Sequence, residues 1–575
     1  MSVDPNTPVL RNCIRLPLPE EELLEVTAKA KDYAIMHGAA MRSKTSFSPD
    51  SLNFAPFVLV PSSFPRKEFE KAVALQPIIN RLMHNVAHDE EFITTTLAET
   101  IKVDEFTANL FNIYRKVLAH GYTQRTSLGM LRSDLMLESG CPELSPKALL
   151  LRGEAGEDGH ATTAAAAAAG TGSGGGGGGG GKTKAVTKEE EEEQAKRNLH
   201  LSQATVSGIT TATVASKDCK TAAYCCWKQV EINTIASGFG HLGPASKTVQ
   251  SFVLRELGHA DKLPNMPKNN ALAGLCDGMV KAWDIYAKPQ SVILFIIEDV
   301  SYNICDQRFH EFYIRETYPH IKVLRRTLTD VHREGKLGLN KELLLGGKLE
   351  VAVIYFRAGY EPGHYHSQDE WDARYLMETS LAIKCPSIQY HLAGTKKVQQ
   401  ALAQPAVLER FINDPEEMKA VGKIFTGLYS LDDNDAGNAT YEMALRTPEK
   451  FVLKPQREGG GNNVYGVDIP EALKRMSRVE RSAWILMDLI HPPLTKGYMV
   501  RPGAEMPPTI VDMVSELGIF GVVIGDADHI IHNYQAGHML RTKLSTANEG
   551  GVAAGLGALD SPYLIDSDDD DEDEN

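Results

Sequence analysis

Between Ala164 and Glu193 the chain passes through six alanines (Ala164 to Ala169), eight glycines (Gly174 to Gly181) and five glutamates (Glu189 to Glu193). Such a segment has too little apolar surface to offset the entropy lost on ordering it. The shift in composition runs from about Met136 to Cys226, and the sequence there reads as a disordered insertion. Whatever packs must be built from residues on either side of it. Inside this stretch Gly176 to Thr183 satisfies GxxxxGK[ST], the phosphate-cradling loop. That loop needs a buried strand before it and a helix after it. Here an alanine run precedes and a charged run follows, so the match is read as an accident of consecutive glycines.

The rest of the 575 residues, at 42% hydrophobic for the whole chain, suffices for several cores and two to four domains. The net charge of -15 is concentrated at one end, because Asp566 to Asn575 is nearly all Asp and Glu and reads as a self-repelling, disordered tail. No basic stripe is present, which argues against nucleic acid as a partner. Eight cysteines (Cys13, Cys141, Cys219, Cys225, Cys226, Cys276, Cys305, Cys385) lie scattered with no CxxC pair or zinc-like His spacing, as in a chain kept reduced in the cytosol. The opening Met-Ser-Val-Asp-Pro-Asn lacks the basic and apolar regions of a signal peptide, and no apolar run approaches the ~20 residues that span a bilayer. A cytoplasmic protein without membrane contact is expected.

Glu20 to His37 reads as a helix after Pro19, with acidic residues in its first turn, Leu23, Val26, Ala30 and Tyr33 on one face, and Gly38 as its stop. From Val292 to Phe356 the pattern becomes α/β: Val292 to Ile297 is a buried-strand run, Asp306 to Tyr318 can be helical, and Ile321 to Leu324 and Val351 to Phe356 are further strands. A small three-layer α/β subdomain is expected there. Later strands are Phe451 to Lys454 and Ile519 to Ile524, the latter forming a hairpin with Ile530 to Asn533. The C-terminal half is therefore α+β.

Three segments could carry chemistry. In Phe451-Val-Leu-Lys-Pro-Gln-Arg-Glu-Gly-Gly-Gly-Asn-Asn-Val-Tyr-Gly466, apolar strand residues deliver Lys454 as a fixed ammonium, and the glycines let main-chain N–H groups approach phosphate oxygens. Glu458 offers an oxygen to the magnesium that accompanies a nucleotide. A glycine-rich surface turn among solvated charges fits the same residues. In Gln229-Val-Glu-Ile-Asn-Thr-Ile235, strand alternation puts Glu231 and Asn233 on one face and Val230, Ile232 and Thr234 on the other. A carboxylate and an amide oxygen at i and i+2 suit magnesium, and so would the polar face of an edge strand. Arg541 and Lys543 share a strand face and can meet anions, with the small residues of Glu549-Gly-Gly-Val-Ala-Ala-Gly555 after them. A solvated basic strand is the alternative.

Taken with Leu392-Ala-Gly-Thr-Lys-Lys-Val-Gln-Gln400, Ser515-Glu-Leu-Gly-Ile-Phe-Gly521 and Leu540-Arg-Thr-Lys543, these motifs resemble the eukaryotic glutathione synthetase family, in the family's order and over roughly Glu20 to Leu564 outside the insertion. The resemblance implies a mixed α/β and α+β chain with the ATP-grasp fold, an inserted three-layer α/β substrate-binding subdomain and a glycine-rich lid. On that pattern 1–135 is the N-terminal part of the core and 136–226 the insertion. Core strand and helices with the metal-ligand pair occupy 227–290, the substrate subdomain 291–394, the ATP-binding core with its lid 395–565, and the tail 566–575.

Carried over residue by residue, the resemblance implies that Glu231, Asn233 and Glu458 hold two magnesium ions. Lys396, Lys454, Glu458, Gly459, Gly460, Gly461, Asn462, Asn463, Tyr465, Met487, Asp488, Leu489, Ile490, Glu516, Lys543 and Glu549 would surround ATP. Arg132, Asn303, Gln307, Arg357, Tyr360, Arg541, Val552 and Ala553 would contact γ-glutamylcysteine or glutathione. Arg132, Lys454 and Arg541 would serve the reaction itself, Arg132 as the stabiliser of a tetrahedral oxyanion. The implied chemistry is attack of the dipeptide carboxylate on the γ-phosphate of ATP, then displacement of the acyl phosphate by glycine. No enzyme nucleophile is needed, which agrees with site motifs built of Lys, Arg, Glu and Asn.

Three positions depart from the pattern. Gly238 stands where relatives often have serine, Leu489 where they can have lysine, and Glu549 where they have aspartate. A ligase of the same fold using β-alanine or another amine, and a catalytically inactive scaffold, are the competing expectations; the small residues Val552 to Gly555 favour glycine. A homodimer is expected from the family alone. The insertion parts Arg132 from Glu231 at little entropic cost, each doubling of a surface loop adding only about 0.6 kcal/mol.

Overall fold

A computed structural model describes residues 7–139, 224, 226–457, 461–548, 550–552 and 556–566. The glycine run with its phosphate-loop match, and the acidic tail after Asp566, lie outside the described residues. So does most of the proposed insertion, but its expected limits overreach: Met136 to Glu138 complete the strand Ser127–Glu138, and Cys226 opens the strand Cys226–Asn233. Both ends take strand form because they pair with each other, Glu138 opposite Cys226.

The helix Glu20–Met36 forms as its pattern predicts and buries Leu23, Val26, Ala30 and Ala34. Tyr33, at the edge of that face, stacks on Phe252 with ring centroids 4.2 Å apart. Among the described residues no helix is long and apolar enough to cross a membrane.

A seven-stranded sheet organises the molecule, in the order Thr495–Val500, Phe57–Val58, Gly557–Asp560, Ile530–Leu544, Ile510–Gly525, Ser127–Glu138, Cys226–Asn233. Thr495–Val500 also pairs with Ile510–Gly525, so five of these strands close a ring. The two longest, Ile510–Gly525 and Ile530–Leu544, are the expected hairpin, extended well beyond the predicted segments.

Both faces of this sheet are buried, and strand alternation decides what each face meets. Leu131, Leu135, Leu137, Leu517, Ile519 and Val523 pack against the helices Arg66–Ala87 and Glu105–His120. Leu128, Met130, Phe520, Val522 and Ile524 face the helix Ala271–Tyr286. Farther along that second face the side chains turn from apolar to charged, and Arg132, Glu516, Arg541 and Lys543 project into a cleft.

The expected three-layer unit is present. Its six-stranded sheet runs Lys322–Arg326, Val292–Ile296, Leu349–Phe356, Leu343–Leu345, Gly335–Leu337, with Ile383–Cys385 also on Leu349–Phe356. Ile293 and Phe295 point to the central helices, while Val292, Leu294 and Ile296 point to the opposite layer of Leu328, Val331, Ala373 and Met377. The continuous apolar run of the strand reflects burial on both sides. A separate four-stranded antiparallel sheet, Leu428–Ser430, Trp484–Asp488, Phe451–Pro455, Val464–Tyr465, forms the opposite wall of the cleft.

Among the described residues five histidines, His84, His241, His310, His391 and His538, are buried with their imidazoles held below the ordinary 6.5. Burial, then His88, lowers His84 to about 4; burial lowers His241 to about 4 against Asp306; burial, then Lys247, lowers His538 to about 3. The unfolded chain therefore takes up these protons first. Their neutral forms support the fold fully above pH 6.5, and that support is lost as pH falls toward 4, by up to about 1.4 kcal/mol per pH unit for each ring. Urea unfolding followed from pH 7 to 4.5 is expected to show a falling midpoint, less steep in His538→Asn.

Candidate active site

The cleft between the seven-stranded and four-stranded sheets encloses about 560 Å³, within the range of sites that hold a nucleotide-sized ligand. From the first sheet it receives Arg132, Glu231, Asn233, Glu516, Arg541 and Lys543; from the second, Lys454, Tyr465, Met487 and Asp488. Lys396, Tyr360, Asn462, Asn463, Leu489 and Ile490 complete the expected residues on its walls.

Arg132 is nearly buried and paired on its own strand. Its Nε donates to Asp134 Oδ1 at 2.6 Å and its Nη2 to Asp134 Oδ2 at 2.7 Å, a bidentate fork, while Nη1 donates to the carbonyl of Gly238 at 2.9 Å. Asn233, on the neighbouring strand directly opposite Arg132, donates its Nδ2 to Asp134 Oδ2 at 3.0 Å. The amide nitrogen is thus committed, leaving Oδ1 as the oxygen that Asn233 can offer a cation. Arg541 approaches Asp134 Oδ2 at 3.6 Å and bonds Glu516, its register partner. Its Nε is buried and has no hydrogen-bond partner among the described residues.

These groups set one another's charge. Burial alone would raise Glu231, but Lys396, at 3.2 Å, then Lys454, Arg541 and Arg132 hold its carboxyl well below the usual range. Asp134 has no exposure, and burial outweighs Arg132 to push it up to about 6. Burial works against the Arg541 cation, but Glu516, Asp134 and Glu231 together raise it above the usual arginine value. Lys454 Nζ donates to the carbonyl of Val230 at 3.1 Å. An ionised carboxylate, the four cationic side chains that hold it so and an oriented amide oxygen therefore meet in one cleft.

Sequence alternation misplaced one residue. Val230 was expected opposite Glu231, yet it lines the cleft beside it. Asp134 pairs with Glu231 and Leu135 with Gln229, so Val230 is the extra residue of a β-bulge that turns it inward.

The expected dipeptide contacts divide. Arg132, Tyr360 and Arg541 line the cleft; Asn303, Gln307 and Arg357 are not among its lining residues and are bonded elsewhere. Gln307 Nε2 donates to Asn303 Oδ1 at 2.7 Å and Gln307 Oε1 accepts from Arg325 at 2.9 Å. Arg357 Nη2 donates to Asp306 Oδ2 at 3.1 Å, and that carboxylate accepts the main-chain N–H groups of Phe239, His241 and Leu242. The group thus grips the loop whose Gly238 carbonyl receives Arg132. Val552 packs in the core with Leu559, while Gly550 and Gly551 reach the cleft. Gly461 is described but does not line the cleft. Glu458, Gly459, Gly460, Glu549 and Ala553 lie outside the described residues, and among the described ones no cluster of three or more acidic, His or Cys side chains is arranged to hold a metal.

Sequence reasoning missed Asp134, although its place two residues after Arg132 on a strand was available. It also missed Thr7, which reaches the cleft because the bridge from Val9 to Leu494 carries the N-terminal segment there. No local pattern could disclose that pairing.

A family model described as eukaryotic glutathione synthase, ATP binding domain, matches residues 20–148 and 194–564. The chain is similar to the glutathione synthetase of Xenopus laevis, 36% identical over 550 residues that cover 95% of this chain and 98% of the relative. The glutathione synthetase of Homo sapiens is 35% identical over 552 residues, with the same coverage. The chloroplastic glutathione synthetase of Solanum lycopersicum is 34% identical over 516 residues, 89% of this chain and 78% of the relative. In fold, the chain resembles a glutathione synthetase-like effector from Globodera pallida in its apo form, with a TM-score of 0.66 and 21% identity over 96% of this chain and 98% of that one.

Gly518 explains one motif glycine. A Cβ there would lie 2.6 Å from Met539 Cε, 2.9 Å from Asp134 Oδ1 and 3.0 Å from Arg132 Cδ. Gly518→Ala must therefore displace the Arg132 fork, and turnover is expected to fall at least tenfold, about 1.4 kcal/mol of lost transition-state stabilisation. Steady-state kinetics beside a thermal melt would show whether the loss exceeds that of folded protein.

Proposed function

The chain belongs to the eukaryotic glutathione synthase family, and we propose that its cleft joins glycine to γ-glutamylcysteine at the expense of ATP. It is an ATP-dependent ligase. The observation that carries the reading is the convergence of Arg132, Glu231, Asn233, Lys396, Lys454, Glu516, Arg541 and Lys543 on one cleft from separate elements.

In this reading the triphosphate lies along Lys396 and Lys454, under a glycine-rich lid formed by the segment after Gln456, as in an ATP-grasp enzyme. Adenine sits by Met487 to Ile490, and the dipeptide carboxylate reaches the γ-phosphate from the side of Arg132 and Arg541. Attack by that carboxylate forms an acyl phosphate and releases ADP; the amine of glycine then displaces phosphate and the amide is complete. In this reading Arg132 stabilises the tetrahedral oxyanion, a role supported by Asp134 fixing two of its nitrogens. Arg541 has Nε in reserve for an anionic substrate group.

Two magnesium ions are part of the proposal, held by Glu231, Asn233 and Glu458. The residues in view fit a hard cation: Glu231 is kept ionised, and Asn233 has its nitrogen turned to Asp134. When bound, the ions neutralise phosphate charge and orient the γ-phosphate. A cytoplasmic homodimer remains part of the proposal by family likeness.

Lys454→Ala and Glu458→Ala are expected to abolish glycine-dependent ADP release while leaving the circular dichroism spectrum unchanged; full turnover in either would contradict the site. An acceptor panel followed by phosphate release should show glycine far ahead of β-alanine. Gly238 admits a side chain, because the nearest atoms to a Cβ there, Arg357 Nη2 at 3.5 Å, Asp306 Oδ2 at 3.6 Å and the Ala236 carbonyl at 3.9 Å, are at ordinary contact distance. Gly238→Ser should fold normally and lower KM for γ-glutamylcysteine by a few fold, with KM for ATP unchanged.

A further inference from the structure

A second, small cavity of about 20 Å³ lies beside the cleft, bounded on its polar side by Thr234, His391, Thr395, Lys396 and Gln456 and on its apolar side by Phe106. Two polar atoms of these lining residues, His391 Nδ1 and Gln456 Nε2, are buried and meet no hydrogen-bond partner among the described residues. The two residues are 4% and 5% exposed. A buried polar atom left without a partner is costly, and two such atoms on residues bounding one small space point to a common ligand.

Size selects the ligand. One water needs roughly 10–15 Å³ of such space; the cavity offers that for one molecule and no room for an amino acid. Hydrogen-bond polarity agrees. The main-chain N–H of Lys397 donates to Gln456 Oε1 at 3.0 Å, so the amide must present its Nε2 as a donor. Burial, then Arg374, holds the His391 imidazole neutral, which lets Nδ1 accept. A water that accepts from Gln456 and donates to His391 satisfies both.

We propose that this cavity holds one ordered water, bonded to His391 Nδ1 and Gln456 Nε2, and that the water fixes Lys396 for nucleotide binding. His391 belongs to the helix Ile388–Ala393, and Lys396 opens the next helix after the turn at Gly394 and Thr395. Gln456 follows the strand Phe451–Pro455 that carries Lys454. The water joins the residue after the Lys454 strand to the helix whose turn leads into Lys396, beside the direct bond from the Lys397 N–H to Gln456 Oε1. The functional half of this proposal rests on Lys396 being a phosphate contact; the water itself does not.

A crystal structure of the full-length wild-type chain, at a resolution that shows ordered solvent, tests the first half without any variant. A density peak within hydrogen-bond reach of both atoms is expected, and a cavity without one overturns the proposal. For the second half, His391→Leu removes the acceptor, whereas His391→Asn returns a polar atom near the position of Nδ1. With magnesium present, H391L should raise KM for ATP five- to tenfold and leave KM for γ-glutamylcysteine unchanged, and H391N should restore most of the loss. Equal rises in both KM values, or identical behaviour of the two variants, would reduce His391 to a packing residue. A chain that holds the water but makes no peptide bond would sink the proposed function and leave the water site standing.

Discussion

The Arg132–Asp134 fork is the interaction around which the cleft is arranged. A guanidinium this buried is costly unless a carboxylate and further hydrogen bonds answer it, and the strand supplies the carboxylate two residues on, on the same face. Register then extends the answer sideways. Glu516 faces Arg541, Gly518 faces Asp134, Asp134 faces Glu231 and Arg132 faces Asn233. Four adjacent strands thus lay cations, carboxylates and an amide in a row across one sheet. A slip of one residue in any of them would turn its members into the apolar layer behind, so the hydrophobic packing of Leu131, Leu135, Leu517 and Ile519 on the other face also holds the site in place.

The same geometry accounts for the long insertion. The chain leaves the strand at Glu138 and Cys226 is that residue's ladder partner, so the two strands are held to each other by their own pairing. Arg132 and Glu231 are far apart in sequence and neighbours on one sheet. Loop length adds only a logarithmic entropy term, and the pairing is local to the sheet.

How much of this could be read in the residues depended on the range of the force involved. Period and capping are local, and they disclosed the helix Glu20–Met36, both faces of the strand Val292–Ile296 and the hairpin about Asp526. Alternation also placed Arg541 and Lys543 on one wall. It failed at Val230, because a bulge is decided by the partner strand, and of the four-stranded wall only Phe451 to Lys454 was read, while the short strands Leu428–Ser430 and Trp484–Asp488 were not. The candidate residues came together through motif resemblance, since no local rule links Lys396 to Lys454 or either to Glu231. The same resemblance grouped Asn303, Gln307 and Arg357 with Arg132 and Arg541, and they do not line the cleft.

The placement of the two lysines carries a physical consequence of its own. Lys396 comes from the start of a helix and Lys454 from a strand of the opposite sheet, and both are nearly buried. Two ammoniums brought this close would repel in a site of low dielectric, and Glu231 stands among them as their shared counter-charge. Rigid elements fix both ammoniums in position, so under the proposed function little reorganisation is needed when the phosphates arrive.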